Sequence, residues 1–174
     1  MTADQIDTIK RVKKAINEAC QTLTVNHESQ NSRWTEVILS SICHAKPKAR
    51  TFCCCSSCKD AYGEWLFDLV WYTEDNQRRL RQLSLVLESE WSHYDFEIKY
   101  DFEKLLIAKC PTKVMLTESD AALKIVRDGI KAFGQSDSSE VYMLANFKGQ
   151  QFVFSLFDGK GDNIIPEGTE SQVS

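Results

Sequence analysis

Residues 83–91 read LSLVLESEW, a run of apolar side chains that ends with two glutamates and a tryptophan. The apolar run predicts a buried β-strand. Glu88 and Glu90 stand two positions apart near its end. Side chains at i and i+2 of a strand lie on the same face about 7 Å apart, so the two carboxylates can converge on one object. The stretch therefore predicts both a central strand and a chemical role for its end.

The segment just before it, residues 64–74, reads EWLFDLVWYTE and predicts a second strand. Asp68 stands among its apolar side chains, where an ionised and unpaired carboxylate costs several kcal/mol to bury. The connection between the two segments is too short for a parallel crossover, so we expect antiparallel neighbours. That pairing brings Asp68 close to Glu88.

The flanking sequence alternates between helical and strand periodicity and predicts a single α/β domain over residues 1–158. A flexible C-terminal tail is expected over residues 159–174, which carry turn formers and little to bury. The predicted order is α-α-β-β-β-α-β-α-β-β, a mixed β-sheet flanked by helices. The elements are helices at 6–23 and 33–45 (capped by Ser32), strands at 51–58, 64–74 and 81–91, a helix at 94–109, a strand at 112–118, a helix at 119–134 (capped by Ser119 or Asp120 and closed by Gly134), and a hairpin of strands at 140–147 and 151–157.

Composition narrows the class of protein. The formal net charge is −4 and the pI about 5.4, so no overall basic field attracts nucleic acid or membranes. The charged N-terminus does not resemble a signal peptide, and no apolar stretch reaches the length of a membrane span. The seven cysteines, an odd number, indicate reduced thiols. We therefore expect a cytoplasmic protein with no membrane partner.

Three carboxylates facing one small volume repel one another unless a cation lies between them. Asp68, Glu88 and Glu90 offer only hard oxygen ligands, which predicts Mg²⁺ or Mn²⁺. Such an ion polarises a phosphoryl oxygen and lowers the pKa of bound water. In the alternative interpretation the glutamates mark a solvated strand end, and Asp68 pairs with a basic residue from across the sheet.

The order of elements over residues 33–118 resembles the core of the PD-(D/E)xK nuclease superfamily, the restriction-endonuclease-like fold. That resemblance implies that Asp68 and Glu88 are metal ligands, with Glu36 as the acid on the preceding helix. It also implies that Glu90 belongs to the third motif, where most members carry a lysine. In some members the following helix supplies this lysine, so the resemblance proposes Lys104 or Lys99 as the replacement. Alternatively, Lys104 is an exposed lysine paired with a neighbouring acid.

Two functions follow from these observations. The first is a metal-dependent nuclease, with DNA as the substrate on family grounds and Asp68, Glu88, Glu90 and Lys104 as the catalytic residues. Basic residues on the first helix and at positions 46–50 would contact phosphates. The second is a non-catalytic adaptor or immunity-type module that binds a protein partner, which net acidity and the missing motif lysine favour.

A cysteine cluster forms a separate feature, with Cys53, Cys54, Cys55 and Cys58 close together in the chain. A structural zinc site usually takes two separated pairs of ligands, so this spacing favours buried free thiols over zinc. A redox protein built on these thiols is a third interpretation. It ranks below the other two because the cysteines do not begin a helix.

Overall fold

The computed structural model describes residues 1–25, 31–47, 50–58, 63 and 65–164. Within them the chain forms four helices and six strands. Their bounds are α1 Ala3–Val25, α2 Asn31–Ala45, β1 Thr51–Cys55, β2 Leu69–Glu74, β3 Leu80–Glu90, α3 Asp95–Ile107, β4 Thr112–Thr117, α4 Ala122–Phe133, β5 Val141–Lys148 and β6 Gln151–Asp158. The order of elements is the predicted one.

The six strands form one mixed sheet whose spatial order follows the chain, β1-β2-β3-β4-β5-β6. The pairs β1–β2, β2–β3 and β5–β6 are antiparallel, whereas β4 runs parallel to both β3 and β5. The two parallel connections pass through α3 and α4, which lie on the same face, as crossovers of one hand require. The predicted mixed sheet flanked by helices is therefore observed.

The two faces of the sheet carry separate cores, and β3 contributes to both. Leu85 and Leu87 pack in the core beneath α1 and α2, whereas Val86 packs beneath α3 and α4. Glu88 shares the face of Val86 because side chains alternate along a strand. The helix that covers Glu88 is therefore α3.

The second strand is shorter than predicted and begins at Leu69 rather than at residue 64. Residues 66–68 form bends, with Trp65 and Leu66 exposed. Asp68 explains why the ladder stops, because its Oδ2 accepts a hydrogen bond from the Ser89 amide at 2.7 Å. A side chain that takes a backbone donor in this way competes with strand pairing.

The predicted helix caps at Ser32, Ser119 and Asp120 are wrong. Ser32 lies inside α2. The hydroxyl of Ser119 accepts the amide of Ala121, the residue that precedes α4, and no side chain caps that helix. Lys148 Nζ instead lies 2.8 Å from Asp120 Oδ1, so Asp120 forms an ion pair with β5 and does not cap the helix.

The C-terminal end of the domain also differs from the prediction. The chain after β6 turns back, and the Ile164 amide donates to the Leu156 carbonyl at 2.9 Å. Ile164 packs against the core beneath α1 and α2, so residues 159–164 belong to the domain. The rest of the predicted tail, residues 165–174, lies outside the described residues.

Gly134 closes α4 in the left-handed conformation, as predicted. Among the helices described, none is both long enough and apolar enough to cross a membrane.

Candidate functional site

The candidate site lies at the C-terminal end of β3. Glu88 is 1 % exposed beneath α3, and Glu90 is half-buried farther along the same face of the strand. Asp68 lies on the neighbouring chain segment, just before Leu69, which pairs with Leu87 in the ladder. This register places Asp68 beside Glu88, and its bond to the Ser89 amide holds it there.

Lys104 reaches the same carboxylate from the last turn of α3. Its Nζ lies 2.7 Å from Glu88 Oε1 and 2.9 Å from Asp101 Oδ1. The contact with Glu88 has the distance of an ion pair. One third of the Lys104 side chain remains exposed, so the group faces both the buried carboxylate and solvent.

Packing of α3 explains how Lys104 comes to this position. Ile98, Phe102 and Leu105 form the buried stripe that seats the helix on the sheet. Asp101 and Lys104 immediately precede two members of that stripe and lie three residues apart, a spacing that lets them pair. A helix held by its apolar stripe therefore carries its charged pair to the edge of the sheet beside Glu88.

The electrostatics of the site are dominated by burial and by excess negative charge. Burial raises the pKa of Glu88 to about 8, and the nearby charge of Asp68 adds to the increase against the opposing effect of Lys104. Burial acts to lower the pKa of Lys104, but its contacts with Glu88 and Asp101 outweigh this and raise the pKa. Lys104 is therefore the stable positive charge of a site in which carboxylates outnumber cations.

Glu90 and Asp101 extend this acidic group toward solvent. Burial raises the pKa of Glu90, and the adjacent carboxyl of Asp101 raises it further, although the Ser92 amide donates to Glu90 Oε1 at 2.6 Å. Asp101 was not among the residues predicted from the sequence. Its position three residues before Lys104 is the signal that identifies it as a partner of that lysine.

Other predicted residues lie apart from this group. Glu36 is exposed on α2, the helix that packs on the opposite face of the sheet, and pairs with Arg33 at 3.1 Å. Lys99 is exposed and lies 3.6 Å from Glu103. Of the two lysines proposed to replace the motif lysine, only Lys104 contacts Glu88.

The donor atoms of the site fit a magnesium or manganese ion held by few protein ligands. Asp68 and Glu88 supply carboxylate oxygens, and Glu88 Oε1 is buried with Lys104 Nζ 2.7 Å away. Mg²⁺ is commonly bound through one or two carboxylates together with water and substrate oxygens. In the part of the chain that the structure describes, no three His, Cys, Asp or Glu side chains form a group ready to hold a metal. The site therefore offers two carboxylates, not a complete protein cage.

The predicted cysteine cluster lies away from these carboxylates. Cys53 and Cys55 face the core beneath α1 and α2, while Cys54 faces the other core. All seven cysteines are buried, and no disulfide bond joins any two of them in the described part of the chain. A hydrogen bond from Cys53 lowers the pKa of Cys43 to about 6 against the opposing effect of burial, and Cys58 adds a second bond. The cluster thus joins α2 to β1 through thiols.

No protein-family profile, curated protein or solved structure matches this chain. The geometry of the carboxylates and Lys104 is therefore the basis for a functional assignment.

Proposed function

We propose that the chain is a metal-dependent nuclease of the PD-(D/E)xK type, with DNA as substrate, in which α3 supplies the motif lysine. The observation that carries this proposal is the 2.7 Å contact between Lys104 Nζ and Glu88 Oε1. A lysine beside the strand carboxylate is what the third motif requires, and Glu90 stands at the position where the motif lysine is absent. The order of α2, β2, β3, α3 and β4 supports the same assignment.

Each residue then has a role that its position permits. Asp68 and Glu88 would hold Mg²⁺ or Mn²⁺, which supplies a Lewis acid for the phosphoryl oxygen and a water of lowered pKa. Lys104 stays protonated and stabilises negative charge that develops on the phosphate. Asp101 positions Lys104 by its 2.9 Å contact. Glu90 lies on the solvent side, where it can orient a water molecule.

The test is cleavage of single- and double-stranded DNA by the purified protein with Mg²⁺ or Mn²⁺. We expect cleavage by the wild-type protein and a loss of at least about 100-fold in Asp68→Ala and Glu88→Gln, because each removes a charged metal ligand. Lys99→Met is the matched control, since it removes a lysine of the same helix that lies away from Glu88. Equal residual cleavage in all variants would indicate a contaminating nuclease and would contradict the proposal.

A second candidate, a non-catalytic protein-interaction module, is favoured by the same ion pair. Lys104 already supplies positive charge to Glu88, which reduces the need for a metal ion between the carboxylates. Calorimetric titration with Mg²⁺ and Mn²⁺ separates the two candidates. Binding that disappears in Asp68→Ala supports the nuclease, whereas an absence of binding together with an absence of cleavage supports the interaction module.

A further inference from the structure

Three aromatic rings are exposed around the start of α3. Tyr94, Phe96 and Tyr100 are each 67 % exposed, although each presents a large apolar surface to water. Tyr94 and Phe96 stack on each other with ring centroids 5.9 Å apart. Phe96 and Tyr100 are four residues apart on the helix and so lie on one side of it. Contiguous exposed rings of this kind are typical of interaction surfaces.

The same side of α3 is strongly acidic. Phe96 and Tyr100 line a cleft of about 520 Å³, which we call the aromatic cleft. Among the described residues, Lys99 is the one basic residue that lines it, and its Nζ lies 3.6 Å from Oε1 of an acid of the cleft, Glu103. The acids that line it are Glu90, Glu97, Asp101 and Glu103.

We propose that the aromatic cleft binds an arginine-rich segment of a partner protein. A guanidinium group stacks on aromatic faces through cation–π attraction and also forms paired hydrogen bonds with carboxylates. The cleft presents both kinds of group within one concave surface. A lysine ammonium matches it less well because it is more strongly hydrated and lacks the planar fork.

The negative charge of the cleft favours an arginine-rich peptide over a nucleic acid. Exposed rings also stack with unpaired bases, but single-stranded nucleic acids bind through rings set in a positively charged groove. Here four carboxylates and one lysine line the cleft, so phosphates that no metal ion bridges to these carboxylates would be repelled. A basic peptide brings the complementary charge, and aromatic residues and arginine are both enriched at protein interfaces.

The inference goes beyond the proposed nuclease activity and does not depend on it. Glu90 and Asp101 belong both to the aromatic cleft and to the acidic group around Lys104. A bound segment would therefore cover the approach to Glu88 and inhibit any reaction there. Binding itself is measured without metal, so failure of the nuclease assay leaves this test intact.

The experiment is fluorescence anisotropy of labelled oligo-arginine with the whole chain in EDTA at about 150 mM salt, where exposed charges farther apart than a Debye length are screened. We expect oligo-arginine to bind more tightly than oligo-lysine of equal length. The double substitution Phe96→Ala/Tyr100→Ala should weaken oligo-arginine binding about tenfold or more, whereas Phe96→Trp should retain it. Ile107→Ala is the matched control, because it truncates another exposed apolar side chain of α3 outside the aromatic cleft.

A second pair of variants tests whether the peptide binds in the cleft or is only attracted by the overall negative charge of the protein. Glu97→Gln removes one negative charge inside the cleft, and Glu18→Gln removes one from an exposed position of α1. We expect a several-fold loss of oligo-arginine binding only in Glu97→Gln. Equal losses in both variants would overturn the proposal, as would equal affinities for arginine and lysine peptides. Ring-dependent binding of an oligothymidylate would also overturn it in favour of base stacking.

Discussion

Two lysine–glutamate pairs lie on the same face of the sheet, and they differ in how their charges and hydrogen bonds are balanced. Lys104 meets Glu88 at the end of β3, and Lys113 meets Glu140 at 2.8 Å near the start of β4 and β5. In the β3–β4 register Lys113 is paired with Val86, two residues before Glu88. Each pair has one fully buried partner, the Glu88 carboxylate in the first pair and the Lys113 ammonium in the second.

The Lys113 pair is a satisfied network. Lys113 is fully buried, and its three donors have three oxygen partners, Glu140 at 2.8 Å, Tyr142 Oη at 3.0 Å and the Leu106 carbonyl at 3.3 Å. Tyr142 in turn donates to Glu140 at 2.8 Å. One positive charge is paired with one negative charge, and each of the three N–H groups of the ammonium has an oxygen partner.

The charges around Lys104, by comparison, are unbalanced, because carboxylates outnumber the one cation. One lysine faces Glu88 and Asp101, with Asp68 close enough to raise the pKa of Glu88. Burial lowers the pKa of Lys113 against the opposing effect of Glu140, so this pair has desolvation to overcome, and removing one partner leaves the other buried without its opposite charge. An excess of carboxylates near solvent can instead bind a cation. The comparison predicts that loss of Lys113 is costly to the fold, whereas the group around Lys104 tolerates substitution better and serves function.

Lys113→Met should produce the largest change, a loss of about 3–5 kcal/mol in the free energy of unfolding, because Glu140 is left without its cation. Urea denaturation followed by tryptophan fluorescence measures it. Lys148→Met is the control, since it breaks an exposed pair and should cost less than about 1 kcal/mol. A similar small loss in both variants would show that the two lysine–glutamate pairs do not differ as described.

Glu88→Gln should change the pH dependence of stability in metal-free protein. The pKa of Glu88 is raised from 4.5 to about 8, so between these values the folded state holds a proton that the unfolded state has released. Stability must therefore fall as the pH rises through this window, by at most about 1.4 kcal/mol per pH unit. Glutamine does not titrate, and the slope should flatten. Urea denaturation in EDTA at several pH values measures it, and an unchanged slope would contradict the raised pKa.

Lys104→Met should separate function from stability. We expect DNA cleavage to fall by about 100-fold, because a positive charge beside the phosphate is lost. The free energy of unfolding at pH 6 should change by only about 1 kcal/mol or less, because Glu88 is protonated there and needs no partner. Cleavage assays and urea denaturation on the same preparation test both statements. A large loss of stability at pH 6 with unchanged cleavage would assign Lys104 a purely structural role.

Tyr142→Phe should give a smaller loss than Lys113→Met, about 1–2 kcal/mol in unfolding free energy. It removes one hydroxyl from the Lys113 network but leaves the ion pair with Glu140 in place. Thermal and urea denaturation measure the loss. A loss as large as that of Lys113→Met would mean that the hydroxyl, not the charge pair, stabilises this region.

The sequence alone determined the order of elements, the antiparallel pairing of β2 with β3, and the shared face of Glu88 and Glu90. Each of these depends on local periodicity or on a short connection, which constrains the chain without distant contacts. The placement of Asp68 near Glu88 follows from the same pairing. The start of β2 was misjudged because Asp68 uses its side chain on the Ser89 amide, which periodicity does not reveal.

Only the tertiary structure decided which side chains meet around Glu88. It selected Lys104 over Lys99, added Asp101, and left Glu36 on a helix of the opposite face. Periodicity places a residue on a face of its own element, but contacts between elements depend on how α3 packs across β3 and on the β3–β4 register. Those are set by the fit of buried side chains such as Ile98 and Phe102, a property of the whole core and not of any one segment.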